Sequence, residues 1–299
     1  MEPEVTSSLR AAAFAAALLA GACRLEPPDP ASQAAAILSK HPSDFTDQLV
    51  ALDALAAREV AWLEPSAVPA VRPSLAESLY AYAARLKPSL AAAGTDSARI
   101  AVLNAFIFDS LGMAALDADT TLAAAVPGLA LSHRRGSCVA LTLIYLGLGK
   151  ALDLPLVPVF LPGHICVRLR RGGEPQNIET LRGGIARTDS FYREAFALGK
   201  RPWYSLADAA PEQALAALLF NMGNARRAHG DPAVAAEEFR LVAEILPGFP
   251  EALGSMGVCA WMRGDTAAAA LRFREALQGD SLSPPALRNL QALGTAPRT

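Results

Sequence analysis

Five residues near the C-terminus recur at one fixed spacing. Gly223, Gly230, Asp231, Ala235 and Phe239 return as Gly257, Gly264, Asp265, Ala269 and Phe273, each pair 34 positions apart. A period of that length marks stacked helix–turn–helix units, each too small to bury its own apolar face. The first glycine lets two helices approach closely, and the Ala/Phe pair packs between them. Pro247 falls where a unit should end. Chance rarely aligns five positions at one period. Residues 206–299 are therefore expected to form an all-α module, with repeats at about 216–249 and 250–283 and then a capping helix. About three repeats are normally needed for an independent array. Two repeats and a cap are thus expected to dock on whatever precedes them.

The preceding region reads differently. Between residues 31 and 130 the apolar pattern is helical. Phe45, Leu49, Leu52, Leu55 and Leu63 lie near 3.6-residue spacing, with Ser43 or Asp44 available as a cap. Pro65 and Pro69 break that pattern. Leu75, Leu79, Tyr82 and Leu86 form a second stripe. A third helix, with Asp96 as the expected cap, buries Ile100, Leu103, Ile107 and Leu111 and stops at Gly112. From Cys138 the run VALTLIYLGLGKAL is apolar on nearly every side, so its helix must be buried all round. Residues 156–161 (LVPVFL), 164–170 (HICVRLR) and 176–180 (QNIET) read as short strands, joined by Pro162-Gly163 and by a turn at 171–175. One buried helix leading into a small antiparallel sheet gives an α+β core over residues 31–205.

Composition narrows the function classes. The chain is 52% hydrophobic and 19% charged, enough apolar content for a packed core. Its 27 Lys and Arg residues against 29 Asp and Glu leave a net charge of −2, which gives no footprint for nucleic acid. The cysteines, Cys23, Cys138, Cys166 and Cys259, match no zinc spacing and no CxxC pair. No metal cluster, phosphate loop or dinucleotide fingerprint is present, so no metal and no cofactor is expected. At the N-terminus, Arg10 precedes an apolar stretch over residues 11–22 and then Cys23. The stretch is too short to span a bilayer. It has the shape of a secretory signal over residues 1–22, with Ala20-Gly21-Ala22 as the cleavage site. Leu19-Ala20-Gly21-Ala22-Cys23 also resembles a lipobox, in which Cys23 is lipidated. An alanine-rich helix of a cytoplasmic protein is the alternative. Residues 23–30, with LEPPDP, read as a linker. The expected location is the periplasm or the envelope, with membrane contact only through that N-terminal lipid; without export it is the cytoplasm.

The residues that carry chemistry lie in the α+β region. Cys138 sits where a loop meets the buried helix. A helix N-terminus presents unsatisfied N–H groups and partial positive charge. Both favour a thiolate, and the same N–H groups can hold an oxyanion. A buried structural cysteine is the competing reading. A nucleophilic cysteine needs a base, and His164 opens a strand after Pro162-Gly163. Glu179, 15 residues further on in the next expected strand, is a candidate to reach the second imidazole nitrogen, or an edge-strand surface charge. Cys166 alternates with His164 and so faces the same side. Arg135, ahead of the cysteine with His133 and Arg134, is a candidate to line the cleft, or part of a solvated basic loop. Arg168 is a candidate for a substrate carboxylate or for pairing within the sheet. Asn221, Asn224 and Arg227 on the first repeat helix are candidates for a polar peptide groove, or a solvated surface.

Taken together, Arg135-Gly136-Ser137-Cys138, LTLIYL, Leu154-Pro155, LPGHICVR and NIET followed by Gly183-Gly184 resemble the bacterial SirB-type branch of the transglutaminase-like superfamily. NAFIFDSLG at 104–112 resembles that family's helical N-terminal half. The resemblance implies a papain-like α+β core with Cys138 as nucleophile, His164 as base and Glu179 as orienting acid. Many members carry Asp at the third position; Glu adds a methylene. It also agrees with tetratricopeptide-type repeats after the core. Three functions follow. One is a cysteine enzyme acting on an amide or peptide bond through a thioester, by hydrolysis or acyl transfer. Another is a catalytically silent domain whose repeats bind a protein or peptide. The third is an envelope scaffold.

Overall fold

The computed structural model describes residues 29–39, 44–117, 121–170 and 176–295. The secretory segment, Cys23, most of the 23–30 linker and the 171–175 turn lie outside the described residues. The N-terminal half is helical: α1 (Pro30–Leu38), α2 (Phe45–Leu63), α3 (Leu75–Ala92) and α4 (Asp96–Asn104). Asp44 caps α2 through the Thr46 N–H, and Ser74 with Glu77 forms a capping box on α3; each such cap contributes about 1 kcal/mol. The cap of α4 is Thr95, not Asp96, which is its first helical residue. The Thr95 side chain reaches the Ala98 N–H, leaving Asp96 to favour the positive helix end by charge alone. The helix then widens into a π turn (Ala105–Ser110) before Gly112 turns the chain at φ 63°.

Two short helices, α5 (Leu122–Ala125) and α6 (Pro127–His133), lead to α7 (Cys138–Ala151). Every residue of α7 from Val139 to Gly149 is buried, as an all-round apolar helix requires. A two-residue parallel pair, β1 (Ala114–Ala115) with β2 (Arg135–Gly136), fixes the approach to it. The main sheet is an antiparallel meander of β3 (Leu156–Leu161), β4 (His164–Leu169), β5 (Gln176–Glu179) and β6 (Ile185–Arg187), in sequence order. The Thr142 hydroxyl donates to the Ile165 carbonyl at 3.3 Å, tying α7 to β4. The fold is thus an α+β core, a small antiparallel sheet against a buried helix, with a helical module behind it.

After α8 (Asp189–Ala195) the chain forms helix pairs: α9 (Leu215–Ala228) with α10 (Pro232–Ile245), then α11 (Pro250–Met262) with α12 (Thr266–Gly279), and last α13 (Pro284–Thr295). The recurring residues do the same work in each pair. Asp231 and Asp265 cap α10 and α12. A Cβ on Gly223 would lie 2.7 Å from the Phe239 ring, and one on Gly257 would lie 2.6 Å from the Phe273 ring, so only glycine permits those approaches. The apolar core runs without a break from α1 through the sheet to Leu246, Phe249 and Ala252. Arg226 of α9, over the Trp62 ring at 4.3 Å, pairs with Glu59 of α2 at 2.6 Å. Two smaller clusters, around Phe239 and Phe273, continue the core outward. Among the described residues no helix is long and apolar enough to cross a membrane.

Candidate active site

Cys138 is the first residue of α7 and is partly exposed. Its helix lacks a side-chain cap. The Ser137 side chain makes no capping bond, and its hydroxyl is buried without a protein partner. The Ser137 N–H is spent on the Ala124 carbonyl. The N–H groups of the first turn of α7 are therefore left for whatever lies beside the thiol.

His164 opens β4 directly after the Pro162-Gly163 turn, paired with Leu161. Its Nε2 lies 3.0 Å from both Glu179 oxygens. The β4–β5 register places Glu179 opposite Cys166, so Glu179 reaches His164 diagonally. The extra methylene of Glu, compared with Asp, suits that longer reach. The carboxylate also accepts from the Tyr192 hydroxyl at 2.8 Å and from the Leu181 N–H at 3.1 Å. Burial alone would raise its pKa; these bonds and the His164 charge outweigh burial and hold it below the usual value. For His164, burial opposes the charge. Its interactions with the neighbouring Cys138 and Glu179 prevail and push it up to about 9. His164 is thus an imidazolium across the neutral range, between a thiol and a carboxylate. The Phe196 ring lies parallel to its imidazole, centroids 6.5 Å apart.

The three side chains open into a cavity of about 610 Å³. One wall comes from the core, including Phe160, Phe191 and Phe196. The facing wall comes from the helical module: Phe220, Asn221 and Asn224 of α9, and Phe249 and Glu251 at the start of α11. Arg182, ion-paired to Asp117 at 2.6 Å, and Arg187, over the Phe191 ring at 4.5 Å, also line it.

Of the residues singled out by sequence, Cys138, His164 and Glu179 are brought together, and Asn221 and Asn224 join them across the cavity. Arg135, Arg168 and Arg227 are not at the cavity. Arg135 is exposed on β2. Arg168 is 5% exposed. Its guanidinium donates to Asn177, the Leu206 carbonyl, Asp208 and Asp189, so it is committed to the sheet rather than to a substrate. Arg227 does not line the cavity itself but donates to Asn224 Oδ1 at 3.3 Å. His133 bonds the Ala67 carbonyl. Cys166 is fully buried, and burial pushes its thiol up to about 12, which makes it core. Sequence reading missed Tyr192, Arg182, Arg187 and Glu251. Among the described residues no group of three or more His, Cys, Asp or Glu could hold a metal ion.

Residues 74–210 match the family model described as Transglutaminase-like superfamily. That span contains Cys138, His164 and Glu179. No curated protein matches the chain.

Proposed function

With a transglutaminase-like core at residues 74–210 as the premise, we propose that this protein is a cysteine-dependent acyl-transfer enzyme of the SirB-type branch, acting on an amide or peptide bond. The observation that carries this is the position of His164, bonded through Nε2 to Glu179 and lining the same cavity as the Cys138 thiol. Glu179 fixes the tautomer and supports the imidazolium. The remaining nitrogen exchanges its proton with sulfur. The Cys138 thiolate attacks the carbonyl carbon, and the N–H groups at the start of α7 take the developing oxyanion. His164 gives its proton to the amine as the C–N bond breaks, leaving a thioester. Water or a second amine, deprotonated by His164, then displaces the sulfur. Water gives hydrolysis and an amine gives transamidation.

The helical module, read as tetratricopeptide-type repeats, supplies the opposite wall and is proposed to bind a protein or peptide segment there. The N-terminal segment is proposed to direct the chain to the envelope, with Cys23 as the lipid-bearing residue. The test is turnover of peptide and primary-amide substrates by the full chain, with and without an added amine. Release of ammonia or amine that disappears in Cys138→Ala is expected. Peptide binding that persists equally in both proteins, with no turnover, would favour a silent scaffold.

A further inference from the structure

The turn that delivers His164 is poorly suited to its place. A two-residue hairpin loop normally takes positive φ at its first central position, because only those turns match the twist of the flanking strands. Here that position is Pro162, which is locked near φ −65°. Only Gly163 takes a positive φ, 65°. Such a turn splays its strands unless something outside the hairpin holds it. Glu251, from the first turn of α11, does so. Its Oε1 accepts the Gly163 N–H at 2.9 Å, across 88 residues of sequence. Its Oε2 accepts the Tyr204 hydroxyl, which fixes the carboxylate from the other side. The start of α11 favours that negative charge.

We propose that Glu251 is a positioning residue for His164: by gripping the Gly163 N–H it sets where the imidazole stands between Cys138 and Glu179. The helical module is then part of the site and not an appendage to it. This deepens the enzyme reading above, since it concerns the same histidine, but it is tested without turnover.

The experiment is an NMR titration of the His164 ring in the full chain, assigned among the four histidines by comparison with His164→Gln. In wild type the midpoint should lie near 9. Glu251→Ala should lower it by about one pH unit or more toward the ordinary ~6.5. Glu251→Gln, whose carboxamide oxygen still accepts from Gly163, should restore most of the shift. An unchanged midpoint in Glu251→Ala overturns the proposal, as does an ordinary midpoint in wild type or an equal fall in Glu251→Gln. A Cys138 that is unreactive, with the His164 shift present and lost in Glu251→Ala, would sink the enzyme reading and leave this one standing.

Discussion

Replacing His164 with alanine should lower amide turnover by at least about 10⁴-fold and slow alkylation of Cys138 at pH 6 about ten- to hundredfold. The two numbers differ because they measure different things. Turnover needs the imidazole twice, once to protonate the leaving amine and once to activate the second nucleophile. Alkylation needs only the thiolate. A free thiol, with its usual pKa of about 8.5, is ionised to roughly one part in 300 at pH 6. In general, an imidazolium beside a thiol raises its ionised fraction. A better-stabilised thiolate is also a weaker nucleophile, and a Brønsted slope of about 0.4–0.5 returns about half of that logarithmic gain. The sign of the pH dependence follows from His164. Its proton is held up to about pH 9. The advantage of wild type over His164→Ala should therefore be greatest at acid pH and vanish as the pH rises through 9. The assay is run with Cys23, Cys166 and Cys259 replaced. Cys166 and Cys259 should contribute little even when present, since burial pushes them to about 12 and about 11.

Arg168→Ala should destabilise the fold by about 3 kcal/mol, measured by urea denaturation. The guanidinium ties β4 to Asn177 of β5, to the Leu206 carbonyl and to two carboxylates, Asp189 at 2.6 Å and Asp208 at 2.9 Å. Removing it leaves Asp189 without its cation and Asp208 with only the exposed Arg170, at 3.4 Å. Breaking a fully buried pair costs about 3–5 kcal/mol. Asp189 and Asp208 keep about a quarter to a third of their exposure, so water compensates in part and the lower end applies. Arg168→Lys should recover little, because one ammonium cannot serve four acceptors in that fork geometry. A loss under 1 kcal/mol, with weakened substrate binding instead, would return Arg168 to the role of a substrate contact.

What could be read from sequence was what local chemistry decides. The all-round apolar run after Cys138 had to be a buried helix. The 34-residue recurrence had to be paired helices, because glycine at 223 and 257 and phenylalanine at 239 and 273 make sense only as close packing. Placing His164 and Glu179 on adjacent strands needed only the turn residues between them. The α4 cap was misassigned because Thr95 and Asp96 are adjacent cap formers, and only backbone geometry selects one. Arg168 closes the LPGHICVR stretch four residues after His164, which made it look like a site residue. Its partners lie 9 to 40 residues away and leave no local trace. Tyr192 and Glu251 were invisible for the same reason. Nothing in their own neighbourhoods shows that one donates to Glu179 and the other holds Gly163.

The most direct test of the central claim is capture of an acyl group on Cys138. The full chain is incubated with an activated p-nitrophenyl ester, quenched in acid and weighed intact by mass spectrometry. One acyl group per chain is expected, mapping to the peptide that carries Cys138, removed by hydroxylamine, and absent from Cys138→Ala. No adduct on the wild-type protein, or the same adduct on Cys138→Ala, would contradict the account.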